Sequence, residues 1–193
     1  MRFNFKLTFL VLIIFQNTVF SQNAKADWED HIANYIKETK GRFTDSEQDF
    51  YEYSEKFNVL AHYKKPKKSK IISLPTSGTK IKDYQVYAVA TFEVEGQKQQ
   101  ITIYRPLPVS PLNKNLLFVL FKDPSAPSET YGGGRYLDMN INDFKDGKVY
   151  IDFNRAYNPY CAFSDGWNCP IPPKENHLKL KITAGEKNPL NKH

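Results

Sequence analysis

Apolar residues change their spacing twice along the chain. From Leu7 to Phe15 they run almost unbroken, and between Trp28 and Ile36 they recur as Trp28, Ile32, Tyr35 and Ile36. That i, i+4, i+7, i+8 spacing predicts a helix over 27–39, with Asp27 as its N-cap and Gly41 at its end. Thr44-Asp45-Ser46-Glu47 has the form of a capping box and predicts a second, short helical turn. From Phe57 onward the period is two. Phe57, Val59, Ala61 and Tyr63 alternate with polar residues, Ser69 to Leu74 reads as a short strand closed by Pro75, and Tyr84 to Glu95 is the longest candidate. Glu95-Gly96-Gln97-Lys98 predicts a turn, and Gln99 to Arg105 the returning arm of a hairpin.

Pro106 to Asn115 is too rich in proline for a central strand. Leu116 to Phe121 is apolar on both faces, so it predicts a buried central strand. Lys148 to Asn154 alternates again, and Leu178, Leu180 and Ile182 mark a last strand. About eight strands behind one helix predict a mainly β fold, an antiparallel sandwich or a partly closed barrel. We expect a single domain over 22–193, with a helical lead-in at 27–51 packed on it. The 15% aromatic content agrees, because aromatics suit pleated surfaces. With 193 residues the chain buries a core without staples, and 40% apolar with 25% charged residues excludes a disordered chain.

The apolar start changes the picture of location. Arg2 and Lys6 precede it, Gln16 and Asn17 interrupt it, and Val19-Phe20-Ser21 offers small residues before a cleavage point. Residues 1–21 therefore read as a signal peptide, too short for the ~20 residues of a spanning helix. The expected product is soluble and exported, periplasmic or extracellular, and begins near Gln22. Taking the two basic residues of that segment from 27 leaves 25 against 21 acidic, a net +4. The excess is concentrated in Lys64, Lys65, Lys67, Lys68 and Lys70. On an exported chain without a nucleic-acid-binding motif, this run reads first as a solvated, aggregation-resistant loop. Its functional reading is a weak attraction to anionic envelope surfaces, with no nucleic acid as partner.

Two stretches are richer in chemistry than a plain β surface requires. Glu129-Thr130-Tyr131-Gly132-Gly133-Gly134-Arg135-Tyr136 places three glycines before an arginine. That suggests either a tight connection leading into a strand or an anion cradle with Arg135 beside it. No Lys-Ser/Thr follows, so it is not a P-loop. The second stretch runs from Asp152 to Asn176. Strand alternation would put Asp152 and Asn154 on one face, with Arg155 at the strand end ready to grip a carboxylate. Cys161 and Cys169 read first as a disulfide, which would contribute about 2.5 kcal/mol in the chain-entropy model. Free buried thiols are the second reading. A metal site is the weakest, since only His177 lies near. His31, His62, His177 and His193 show no catalytic spacing.

The strings Tyr131-Gly-Gly-Gly-Arg-Tyr136, Asp152-Phe-Asn-Arg-Ala-Tyr-Asn-Pro159, Cys161-Ala162-Phe163, Cys169-Pro-Ile-Pro-Pro-Lys-Glu-Asn176 and Ala184-Gly-Glu-Lys187 together resemble domain-of-unknown-function family 1684, in its shorter exported form. The likeness extends over Phe50 to Arg105. It departs at Asp123-Pro124-Ser125-Ala126 and at Tyr160, and it implies membership without an activity. The leading functional expectation is a monomeric, non-catalytic binding module, without cofactor or metal, for a small anionic or polyhydroxylated ligand. The residues expected at its site are Tyr131, Arg135, Asp152, Asn154, Arg155, Tyr157, Asn158, Asn176, Glu186 and Lys187. The first alternative is a hydrolase-type enzyme using Asp152 with Glu129 or Glu186 as acid and base. The second is a polar network that only holds the structure together.

Overall fold

The computed structural model of the protein describes residues 24–40 and 48–190. The expected signal peptide, the Gly41 helix end, the helical turn at Thr44–Glu47 and His193 lie outside the described residues. The chain divides into two compact units, Met1–Thr39 and Lys40–His193. The first carries helix α1 over 24–39, three residues longer at its start than the apolar stripe predicts. Asp27 therefore sits in its first turn, where a negative charge favours the helix dipole. Lys25 and Glu29 pair across one turn, and the Thr39 hydroxyl donates to the Tyr35 carbonyl at 2.7 Å.

The second unit is built from β1 (Asn58–Lys64), β2 (Ile71–Pro75), β3 (Ile81–Val94), β4 (Gln97–Pro106), β5 (Leu116–Phe121), β6 (Arg135–Asn140) and β7 (Lys148–Asp152). All pairings are antiparallel, in the order β6-β5-β4-β3-β1-β7, with β2 added beside β3. The seven strands form one curled half-barrel sheet. Of the two architectures expected, the partly closed barrel is the one formed.

The period-two residues of β3 are buried as expected but do not share one face: at a bulge between Val86 and Ala88 the stripe passes from the apolar cluster that takes Tyr84 and Val86 to the main core that takes Ala90, Phe92 and Val94. Tyr84, Val86, Ala88, Ala90, Phe92 and Val94 are buried along β3, and Val94 pairs with Gln97 across the two-residue turn Glu95-Gly96. Both turn residues have positive φ, the conformation of the favoured hairpin turns. Strand β5 is buried on both sides: Leu117, Val119 and Phe121 join the main core, while Phe118 and Leu120 join a second cluster with Leu74, Tyr84, Val86, Tyr104 and Tyr136.

Two expectations are corrected. Leu178, Leu180 and Ile182 point inward but form no strand. The N–H groups of Leu178, Lys179 and Ile182 go to the Lys122 carbonyl, to Gln99 Oε1 and to Asp123 Oδ2, three acceptors that do not belong to one neighbouring strand. The strand expected over 148–154 ends at Asp152, whose carboxylate accepts the Asn154 N–H and caps a 3-10 turn over Phe153–Arg155. That turn puts Asn154 inside while Asp152 stays half-exposed, so the two do not share an outer face.

Candidate functional site

Arg135 opens β6 and is 1% exposed. The glycine before it has φ +90°, and a Cβ there would lie 2.6 Å from both the Phe121 carbonyl oxygen and the Pro172 ring, so only glycine lets the chain turn the arginine inward. The guanidinium donates to Asp123 Oδ1 at 3.1 Å, to the Ile182 carbonyl at 2.9 Å, and to the carbonyls of Ala184 and Glu186. It also lies over the Phe121 ring. Asp123 in turn accepts the N–H groups of Ser125 and Ile182. Burial pushes the basicity of Arg135 down, and Asp123 opposes that. A planar donor fork that feeds one carboxylate and three carbonyls is a clamp on the 182–186 segment. It does not face solvent.

Glu186 is fully buried beside it. Its Oε2 accepts the Asn158 N–H at 2.7 Å, and desolvation raises its pKa to about 8 against the pull of Asn158, Gln48 and Arg135. Asn158 also donates from its side chain to the Lys187 carbonyl. Lys187 pairs with Asp49, and its amine sits over the Tyr51 ring. Tyr51 donates to Glu129 Oε2, while Lys181 holds the other oxygen of Glu129. These two contacts, the lysine's first, pull the Glu129 pKa down. Gly185 makes this crossing possible. Its φ is +76°, and an added Cβ would sit under 3 Å from the carbonyl oxygens of Phe153 and Ala156.

The remaining expected site residues are also occupied internally. Asp152 pairs with Arg155. Asn154 exchanges hydrogen bonds with both backbone groups of Ser54, as a strand partner would. Tyr131 donates to the Cys161 carbonyl, and Tyr157 donates to Asp138 while its backbone pairs with Tyr136. Cys161 and Cys169 are joined in a disulfide. Among the described residues no three His, Cys, Asp or Glu side chains gather as a metal ion would require.

Asn176 lies apart from this group. Strands β4 and β5 pair only at Tyr104 and Phe118. Continuing that register would place Thr102 opposite Leu120. There the Asn176 side chain accepts the Thr102 N–H and donates to the Thr102 and Leu120 carbonyls, each within 2.8 Å. A side-chain amide thus replaces a peptide between two splayed strands. Asn176→Ala leaves three buried backbone groups unbonded, so it is expected to cost about 3 kcal/mol. Urea unfolding of the variant checks this, and a loss below 1 kcal/mol (about what an ordinary surface change produces) contradicts it.

An open recess lies elsewhere. A cleft of about 320 Å³ is lined by Leu74, Pro75, Gly132, Gly133, Ile171, Pro172 and Pro173, with Lys122, Lys174 and His177 among them. No carboxylate lies within ion-pair distance of any of these three side chains among the described residues. His177 Nε2 lies 3.2 Å from the Pro172 carbonyl. The Gly132-Gly133 turn thus lies beside Lys122 and Lys174, whereas Arg135 is not part of this cleft. Lys122 follows a buried strand and Lys174 follows a proline run. Cations flanking rigid apolar segments were the only signal available for either.

The family described as "Protein of unknown function (DUF1684)" matches residues 45–187. The solution NMR structure of an uncharacterized protein of Haloarcula marismortui is similar at a TM-score of 0.66 and 26% identity, over 86% of this chain and 96% of that one. No curated protein matches the chain. The matched span holds the arginine clamp, the disulfide and the open cleft together, and on that span the chain belongs to the DUF1684 family of proteins of unknown function.

Proposed function

We propose that the protein is a non-catalytic binding module for a small anionic ligand with an apolar body, held in the cleft between the Gly132-Gly133 turn and the Ile171–Pro173 run. The observation that carries this reading is the pairing of apolar walls with two lysines, Lys122 and Lys174, and the imidazole of His177, none of which has a carboxylate partner among the described residues. Ligand sites are commonly apolar recesses with a few convergent polar groups. The proline run and the disulfide behind it keep one wall stiff, so little order has to be gained on binding. The hydrolase reading has less support, because Asp152 and Glu129 are closed in ion pairs and Glu186 is shut away from solvent. On our reading the chain is exported and monomeric. The lysine connection of Lys64, Lys65, Lys67, Lys68 and Lys70 lends it a weak attraction to anionic envelope surfaces.

Titration calorimetry with phenyl phosphate and octanoate tests the cleft. Binding of either is expected to weaken about 10- to 100-fold in the Lys122→Ala, Lys174→Ala double variant, from two lost charge-assisted contacts. The melting temperature should hold, since neither lysine is in an ion pair among the described residues. No binding of either probe, or equal affinity in the double variant, overturns the assignment.

A further inference from the structure

The expected attraction to anionic surfaces rests on one stretch of sequence, and the register of the sheet adds a second stretch to it. On β3, Gln85 has Ile71 of β2 on one side and Arg105 of β4 on the other, so these three share a face at one end of the sheet. The Lys70 carbonyl accepts the Val86 N–H, and Ser69 accepts from Gln85, which ties the lysine connection to that end. Lys65 sits 4.7 Å from the Tyr87 ring centroid. From the same end leaves the loop after Pro106, with Leu107 N–H donating to Asp83 and Arg105 donating to the Lys114 carbonyl. Segments 64–71 and 105–115 carry seven cations and no acidic residue. None of those cations is in an ion pair among the described residues.

The loop is a firm platform. Asn113 accepts the Ser110 N–H and hydroxyl and donates to the Pro108 carbonyl, and the Leu116 N–H returns to the Asn113 carbonyl. That pinned tip holds Leu112 99% exposed and Val109 43% exposed, while Ile71 at the start of β2 is 63% exposed. An apolar prong on a loop that leaves the lysine-bearing end of the sheet matches the two demands of an anionic bilayer, whose surface attracts basic groups and whose interior accepts apolar ones. We propose that this end of the half-barrel docks peripherally on anionic bilayers, with Leu112 inserting below the headgroups and the lysines lying over them. The proposal rests on the surface attraction stated above and is independent of the cleft.

Sedimentation of the full chain with vesicles of phosphatidylcholine, with or without phosphatidylglycerol, tests it. Residues 1–21 are common to every variant, so differences between variants report the substituted positions alone. Replacing the five lysines of 64–70 by glutamine is expected to cut the preference for phosphatidylglycerol vesicles about 100-fold. Leu112→Ser is expected to cut binding to them about tenfold. Both substitutions are on the exposed surface, so melting temperatures and phenyl phosphate affinity should stay at the wild-type values. If only the lysine variant loses its preference, the attraction stands and the docking end is overturned. If neither variant changes, or if the chain holds heparin but shows no vesicle preference, both are overturned.

Discussion

Arg135→Met is expected to destabilise the protein by about 3–5 kcal/mol, the cost of stranding a buried partner charge. Methionine fills much of the same volume, so the loss is electrostatic. Asp123 would keep its two N–H donors but lose its cation, and the carbonyls of Ile182, Ala184 and Glu186 would lose theirs. For a chain of this length the melting temperature should fall by about 10–15 °C. Asp123→Asn combined with Arg135→Met should recover part of the loss, because no lone charge then remains inside. Urea unfolding of the four proteins of that cycle gives the coupling directly. A coupling near zero would contradict the clamp. Had Arg135 faced a ligand, its removal would have left stability almost untouched, so the same measurement separates architecture from recognition.

Glu186→Gln is expected to stabilise the protein in mild alkali, an unusual outcome for removing a buried charge. The folded chain releases the Glu186 proton near pH 8, and the ordinary value for the side chain is 4.5. Between those two values the folded state holds a proton that the unfolded state has lost. Unfolding therefore releases a proton, and stability falls as pH rises through this window. The contribution is whole below pH 4.5 and gone above pH 8. A shift of that size corresponds to roughly 5 kcal/mol as an upper figure. Glutamine keeps an oxygen for the Asn158 N–H and cannot ionise, so its stability curve should be flatter. The two proteins should be close at pH 5 and several kcal/mol apart at pH 8.5. Parallel curves across that range would refute the buried neutral carboxyl.

The motif residues that looked exposed and functional are mostly those with the most distant internal partners. Arg135 reaches carbonyls 47 to 51 residues away, and Asn154 reaches Ser54 across 100. Strand alternation assigned Asp152 and Asn154 to one face, and it failed because the strand stops at Asp152 and a capped turn rotates the next residue inward. Alternation found the buried residues of β3 but not their common face, because a bulge between Val86 and Ala88 moves the stripe from one side of the sheet to the other. The cleft cations were legible only as residue types. Nothing local marks Lys122 or Lys174 as lacking a carboxylate partner, because that depends on which acids the fold brings near.

What the chain determines through its own residues is the part governed by neighbours. Apolar residues at every second position make β1, β3 and β4, a run apolar on both faces makes the doubly buried β5, and Glu95-Gly96 makes the hairpin turn, because each follows from backbone geometry within a few residues. The long motifs likewise carry the family by themselves. Folding in three dimensions decided that Arg135 and Glu186 are inside, that Asn176 bridges two strands, that Leu178, Leu180 and Ile182 line the core without joining a ladder, and that the loop carrying Leu112 leaves the same end of the sheet as the lysine connection. In each case a polar group or a loop is placed by partners far along the chain. Burial of a charge is tolerable only where those partners meet it.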